Sequence, residues 1–399
     1  MSNTDDSAWA TPNLANLKIA MYLRLLVGGG AERVMLNLAK GLLQKGIQVD
    51  LVLNTKAGAY LDEVPESIRI IDLKAPRLLQ GLPKLANYLR QEQPLILLSA
   101  LHYTNEVAIW ATRLSGAKTK VIVAEHNTLS AHAKHCKAER FSPLLARWFY
   151  PWADGVICVS QSAAMDLAQV THMTPEQIKV IYNPVITPEM LAQAAISPQH
   201  PWLEPGEPPV ILGVGRLGLQ KDFQTLITAF SQVVKSRSAR LMILGSGSER
   251  GSLERLAQDL GVAEHVHFAG FVQNPYAYIS RAAVLVLSSR WEGLPTVLVE
   301  SLALRTPVVS TDCPSGPREI LSQGKFGALV PVENPDAIAS SILETLESPS
   351  LTTPIDDALA QHLQQFTLET VTEQYIQYFY EVLGVSRTQA GQSPKRRSA

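Results

Sequence analysis

The feature that most constrains the fold is a long alternation of strand-like and helical runs. It begins with "LKIAMYL", a helical pattern from about Glu32 to Lys45, "QVDLVLN" and a helix near 82 to 91. It continues with "LILLSAL", a helix near 104 to 114, "KVIVAEH" and "GVICVS". Such alternation predicts βαβ units: a parallel sheet covered by helices on both faces. Between Asn183 and Pro209 the pattern stops, and seven prolines (Pro184, Pro188, Pro198, Pro201, Pro205, Pro208, Pro209) predict a linker around a short helical piece. It restarts with "PVILGVG", a helix from about Asp222 to Lys235, "ARLMILGSG", a helix to about Leu260, "VHFAGF", "AAVLVLSS", a helix after Pro295 and "TPVVST".

The expected architecture is therefore α/β, with two doubly wound Rossmann-like domains facing across a cleft. The N-terminal domain spans 17–185, a linker 186–208, and the C-terminal domain 209–365. An amphipathic helix over 366–383 is expected to pack back on the N-terminal domain, before a disordered tail at 384–399. With 46% hydrophobic and 18% charged residues in 399, the chain can bury two cores. A formal charge of −1 gives no global attraction to nucleic acid or an anionic membrane, so such affinity would have to be a local patch. Three cysteines without CxxC spacing suggest neither a disulfide framework nor a zinc site. The polar, acidic start "MSNTDDSAWATPN" is unlike a signal peptide, and no apolar run reaches the ~18 residues of a membrane span. The expected location is the cytoplasm, with no nucleic-acid partner.

Ligand sites of doubly wound sheets lie at the carboxyl ends of the strands. The segment "GVGRLG", 213–218, follows a strand and fits the Gly-x-Gly-x-x-Gly pattern. A dinucleotide site also wants an acidic residue about 20 residues on, at the end of the next strand. Here that strand, "LMILGSG", ends in glycine and serine, including Gly245. Arg216 and Lys221 lie in and just after the loop that starts with Gly215, and two fixed cations suit a diphosphate leaving group. A solvated basic turn is the plainer alternative.

In "SSRWEGLPTVLVESLAL", 288–304, Pro295 predicts a helix start whose free N–H groups near Gly293 and Leu294 favour an anion. Glu300 is the single charge on a helix apolar all round and expected to be buried, so it needs a partner: ligand hydroxyls, or else an arginine. "VGGGAERV" places Gly28, Gly29 and Gly30 directly before a helix, and "VIVAEHN" ends a strand at Glu125 and His126. A tight turn and a structural histidine are the plain readings of these two.

Taken in order, "GRLGLQKDF", "ILGSGSER" and "EGLPTVLVE" resemble the retaining family-4 (group 1) glycosyltransferases of GT-B fold, over roughly residues 17 to 380. The spacing of seven residues between Glu292 and Glu300 matches that family. The resemblance implies that Glu300 binds the nucleotide ribose, that Arg216 and Lys221 bind the diphosphate, and that Glu292 contacts the donor sugar. It implies that Gly28–Gly30 border donor and acceptor and that His126 lies near the reacting sugar carbon. His126, Glu292, Arg216 and Lys221 are then the candidate catalytic residues. Gly215, Gly245, Gly293, Leu294, Pro295 and Glu300 join the last three in the donor site. One departure is Arg305, at a helix end where relatives usually carry glycine.

The activity implied is metal-independent transfer of a hexose or N-acetylhexosamine from a nucleotide-diphosphate sugar, UDP-sugar favoured and GDP-mannose possible. The acceptor would be a hydroxyl of a lipid-linked or surface-polysaccharide glycan. No DxD motif occurs, and no cofactor is expected. Residues 134–152, "KHCKAERFSPLLARWFYPW", mix four basic residues and one acid with seven large apolar side chains. That mixture suits a peripheral contact with anionic lipid, or an ordinary packed helix. A GT-B nucleotide-sugar epimerase and an NAD-dependent oxidoreductase are the competing functions.

Overall fold

The computed structural model describes residues 17–136, 139–347 and 357–385. Residues 1–16, Lys137 and nearly all of the tail expected at 384–399 lie outside the described residues.

Thirteen strands form two sheets among the described residues. The first holds β1 (Lys18–Leu23), β2 (Gln48–Leu53), β3 (Arg69–Asp72), β4 (Ile96–Ala100), β5 (Lys120–Glu125), β6 (Gly155–Cys158) and β7 (Ile178–Val180), in the order β3-β2-β1-β4-β5-β6-β7. The second holds β8 (Val210–Val214), β9 (Arg240–Leu244), β10 (Val266–Gly270), β11 (Val284–Leu287), β12 (Val308–Thr311) and β13 (Ala328–Val330), in the order β10-β9-β8-β11-β12-β13. All five pairings of the second sheet are parallel. Strand order reverses at β1/β4 and at β8/β11, and such switch points leave a crevice at the strand carboxyl ends. The two segments singled out in the second half, after β8 and after β11, therefore leave the sheet side by side.

Strands buried on both faces read as continuous apolar runs, and β11 illustrates why. Successive side chains alternate, so Leu285 and Leu287 enter one core with Leu212 and Leu244, while Val284 and Val286 enter the other with Ile211 and Ile243. Helices lie on both sides, among them Phe223–Ser236 and Arg250–Asp259. In the first half the helix expected near 82 to 91 runs Leu78–Glu92, and that expected near 104 to 114 runs His102–Ser115.

By packing, the chain divides into two compact units: one from residues up to Glu125, Leu145–Ile157 and from Val371 on, the other from His126–Leu144 and Cys158–Thr370. The sheets divide between Val180 and Val210, where the linker was expected. The packing division differs because stretches after β5 and β6 bond within the second unit. Thr128 donates to the Glu292 carbonyl, Ser160 and Ser315 share a hydroxyl bond of 2.7 Å, and Glu319 accepts from the Gln161 and Ser162 amides. The linker region contains the helix Pro188–Ala194, and Val185 and Ile186 donate to the Phe366 carbonyl. The helix Leu368–Leu383 belongs mostly to the first unit, where Glu373 pairs with Lys45 and the Val156 amide donates to Tyr378.

Candidate functional site

Every candidate donor residue lies in the second unit. The loop after β8 is pinned to the loop after β9: the Gly215 amide donates to the Leu244 carbonyl at 2.9 Å. A Cβ on Gly245 would sit 1.9 Å from the Gly215 carbonyl oxygen, and Gly245 has φ +139°. The glycines of this stretch thus serve backbone-on-backbone packing, which explains the dinucleotide-like pattern without a dinucleotide.

Four contacts, besides the Arg290–Asp222 ion pair, tie the loop after β8 to the loop after β11. The Arg290 amide donates to the Gln220 carbonyl (2.8 Å), the Gln220 amide side chain to the Trp291 carbonyl (2.9 Å), and the Ser288 hydroxyl to the Lys221 carbonyl (2.8 Å). The fourth is an ion pair, Lys221 Nζ to Glu292 Oε1 at 2.6 Å. The Ser289 hydroxyl donates to the same carboxylate oxygen, also at 2.6 Å. Glu292 is only 6% exposed, so removing either partner leaves a desolvated charge, a change that costs several kcal/mol in comparable pairs. Cys313 is buried nearby; burial and then the Glu292 charge push its thiol far above the ordinary range. Arg216 is exposed on its loop.

Glu292 through Pro295 are buried and lead into the helix Thr296–Ala303. Pro295 is the residue before the first turn, one position earlier than a helix-starting proline usually sits. Glu300 is 6% exposed on this helix, beside the buried Val299 and Ser301. Beyond the helix, Arg305 adopts φ +61°, so the left-handed turn forms with an arginine in place of the easier glycine.

His126 follows the last residue of β5 and begins a segment laid along Glu292 and Gly293. Asn127 forms an antiparallel bridge with Gly293, and Thr128 donates to the Glu292 carbonyl through its amide (3.2 Å) and hydroxyl (2.6 Å). A Cβ on Gly293 would fall 1.9 Å from the His126 carbonyl oxygen, so only glycine permits this approach. Burial lowers the His126 imidazole to about 4, making it neutral at physiological pH. The structure thus gathers His126, Gly215, Lys221, Gly245, Glu292, Gly293, Leu294, Pro295 and Glu300 in one unit. The Gly28–Gly30 loop belongs to the other unit, between β1 and the helix Gly30–Gln44, with Gly28 at φ +103° and its carbonyl accepting from Tyr60. Sequence reading did not identify Gln220, Thr128 or Ser289 as organisers; their role depends on contacts that spacing does not reveal.

The profile of group 1 glycosyl transferases matches residues 199–362, and that of glycosyltransferase family 4 matches residues 28–188. A Campylobacter jejuni protein is 30% identical over 352 residues, covering 84% of this chain and 91% of that one. It is named an N-acetylgalactosamine-N,N'-diacetylbacillosaminyl-diphospho-undecaprenol 4-alpha-N-acetylgalactosaminyltransferase. The chain belongs to the family-4, group 1 glycosyltransferases. This glycosyltransferase is also 28% identical over 357 residues to the lipopolysaccharide core biosynthesis glycosyltransferase LpsE of Rhizobium meliloti, covering 88% of this chain and 95% of LpsE. Its fold is GT-B: it superposes on Anabaena HepE in complex with UDP-glucose with a TM-score of 0.76 at 20% identity, covering 92% of this chain and 100% of that one.

The 134–152 segment of the glycosyltransferase is not one packed helix. His135 stacks on the Trp291 ring within the second unit, with centroids 4.5 Å apart. Residues from Leu145 to Trp152 belong to the first unit. There Tyr150 is buried and donates to Glu125, while Trp148 is 55% exposed. Trp110, Phe149 and Trp152 form an edge-to-face cluster at 5.4–5.5 Å, and Arg113 lies over Trp152 at 4.6 Å. Among the described residues no helix is long and apolar enough to cross a membrane.

Proposed function

We propose that the protein is a retaining, metal-independent glycosyltransferase that moves a hexose or N-acetylhexosamine from a nucleotide-diphosphate sugar to a hydroxyl of a lipid-linked or surface-polysaccharide acceptor. UDP-sugars are favoured as donors, in keeping with the UDP-glucose bound to HepE and the undecaprenol-linked acceptor in the relative's name. The observation that carries the reading is the Lys221–Glu292 pair at the β8/β11 switch point, beside the start of the helix that carries the buried Glu300. Glu300 takes the ribose hydroxyls. Lys221, Arg216 and the N–H groups at Gly293 and Leu294 meet the diphosphate, and Glu292 meets the donor sugar. Before donor arrives Lys221 is held by Glu292; the diphosphate competes for it and frees the carboxylate for sugar hydroxyls.

In the reaction the bond between the anomeric carbon and the diphosphate oxygen breaks as the acceptor oxygen bonds to the same face. The acceptor proton passes to a phosphate oxygen of the leaving group, giving a glycoside and a nucleoside diphosphate. The protein's part is to position the reactants and to stabilise growing negative charge with fixed cations and dipoles. Neutral His126 contributes a hydrogen bond near the reacting carbon and carries no charge.

The enzyme works at the cytoplasmic face of a membrane, touching it peripherally. Exposed indoles beside Arg113 and Arg147 support this reading, because amphipathic rings and cations both favour an anionic interface. A thermal-shift panel of UDP-, GDP- and ADP-sugars tests the donor, since a ligand bound only by the native state raises its melting temperature. Transfer with the stabilising donor is expected to survive excess EDTA and to give a product of unchanged anomeric configuration by NMR. Loss in EDTA restored by magnesium or manganese, or an inverted product, contradicts the mechanism.

A further inference from the structure

Trp291 immediately precedes Glu292 and is 1% exposed, yet it carries an indole N–H that burial would leave stranded without a partner. Its Nε1 donates to His132 Nδ1 at 3.1 Å, and His132 Nε2 lies 2.5 Å from Glu139 Oε2. His135, one turn along the helix Leu129–His135, stacks flat on the indole with an interplanar angle of 6°. The same segment grips the next residue through Thr128 and the Glu292 carbonyl. We propose that His132, oriented by Glu139, is a positioning residue of the transfer reaction: it fixes the Trp291 indole and thereby aims the Glu292 carboxylate at the donor sugar.

The hydrogen-bond inventory defines how this works. Indole is a donor only, so His132 Nδ1 must accept, and Nε2 must therefore carry the proton, facing the Glu139 carboxylate at 2.5 Å. The three side chains stand in series, a hydrogen bond from Trp291 to His132 and then a close polar contact with Glu139, with one consistent tautomer. The indole has no rotational freedom in this arrangement: one edge is hydrogen-bonded, one face is covered by His135, and its backbone carbonyl is held by Gln220. Glu292 follows with its own backbone fixed, by Thr128 at its carbonyl and by the Pro314 carbonyl at its amide. Lys221 holds the carboxylate itself only until donor competes for it. From then on its aim depends on the Ser289 hydroxyl and on the backbone that the tryptophan anchors. A displacement of about 1 Å in such a group can cost on the order of 100-fold in rate.

The inference rests on the reading that Glu292 faces the donor sugar, and the experiment separates the two. We would compare His132→Leu, His132→Asn, Glu139→Gln and Glu292→Gln for kcat, donor KM and affinity for free UDP, with folding followed by far-ultraviolet circular dichroism and the indole's setting by the near-ultraviolet band that Trp291→Phe removes. His132→Leu is expected to lower kcat roughly 10- to 100-fold, leave free-UDP affinity unchanged and alter the Trp291 band. His132→Asn, which retains an acceptor near the Nδ1 position, is expected to recover much of the rate. A slow Glu292→Gln with a normal His132→Leu overturns the positioning role alone. A normal rate for Glu292→Gln overturns the reading of the site beneath it. Equal losses in His132→Leu and His132→Asn with an unmoved Trp291 band mean that His132 does not act through the indole, which also overturns the proposal.

Discussion

At the residue scale, two glutamates eight positions apart are assigned different partners, and single substitutions separate them. Glu300→Gln is expected to weaken free UDP by about 1.5 to 3 kcal/mol, the range of a charge-assisted hydrogen bond; calorimetry with UDP reads it. Glu292→Gln is expected to spare free UDP, and equal losses in both would contradict the assignment. His126 and Glu106 make opposite contributions to stability with pH. Between pH 6.5 and 4 the unfolded chain takes a proton at the His126 imidazole and the folded chain does not, so stability falls as pH falls through that window. The difference amounts to roughly 3 kcal/mol at full development. Glu106 is pushed up to about 7, first by burial and then by the Glu125 charge, so its contribution is instead lost as pH rises from the ordinary carboxyl range toward 7. Urea midpoints against pH for wild type and His126→Gln isolate the first: the variant is expected to lose less stability from pH 6.5 to 4, and parallel curves would contradict a neutral buried imidazole.

At the element scale, the strand-end loops are held by backbone contacts that tolerate no side chain. Gly245→Ala places a Cβ against the Gly215 carbonyl at a left-handed φ, and is expected to cost about 1–3 kcal/mol. Because Gly215, on which it presses, starts the loop that carries Lys221, donor affinity is expected to fall with it; an unchanged urea midpoint would contradict the packing account. What was legible in the sequence follows the same physics. Strands such as "VILGV" and "VLVL", buried on both faces, announce themselves as apolar runs. The edge strands β3, β7 and β13 do not, being three or four residues long with partly exposed positions. Glu292 and Glu300 stand out as candidates in the sequence because both lie on one contiguous segment. The grip of Thr128 and His132 on that segment does not, since it joins positions more than 150 residues apart and leaves no periodic trace.

At the scale of the whole molecule, the lipid-linked acceptor proposed for this near-neutral chain requires a local means of meeting a membrane. Replacing Arg113 and Arg147 by Gln together with Trp148→Ser is expected to reduce sedimentation with anionic vesicles by roughly 30-fold or more, taking about 1 kcal/mol per cation near the surface. UDP affinity should be unchanged, and undiminished vesicle binding would remove this surface from the account. The fold itself was readable from alternation alone, whereas the division by packing was not, because stretches following β5 and β6 in sequence bond within the second unit. If Arg216 and Lys221 stabilise a departing diphosphate, as proposed, their contribution grows between bound donor and transition state. Initial rates of Arg216→Ala and Lys221→Ala across UDP-sugar concentrations measure that growth. The expected result is a fall in kcat on the order of 100- to 1000-fold, larger than any rise in donor KM; near wild-type kcat in both folded variants would contradict the account.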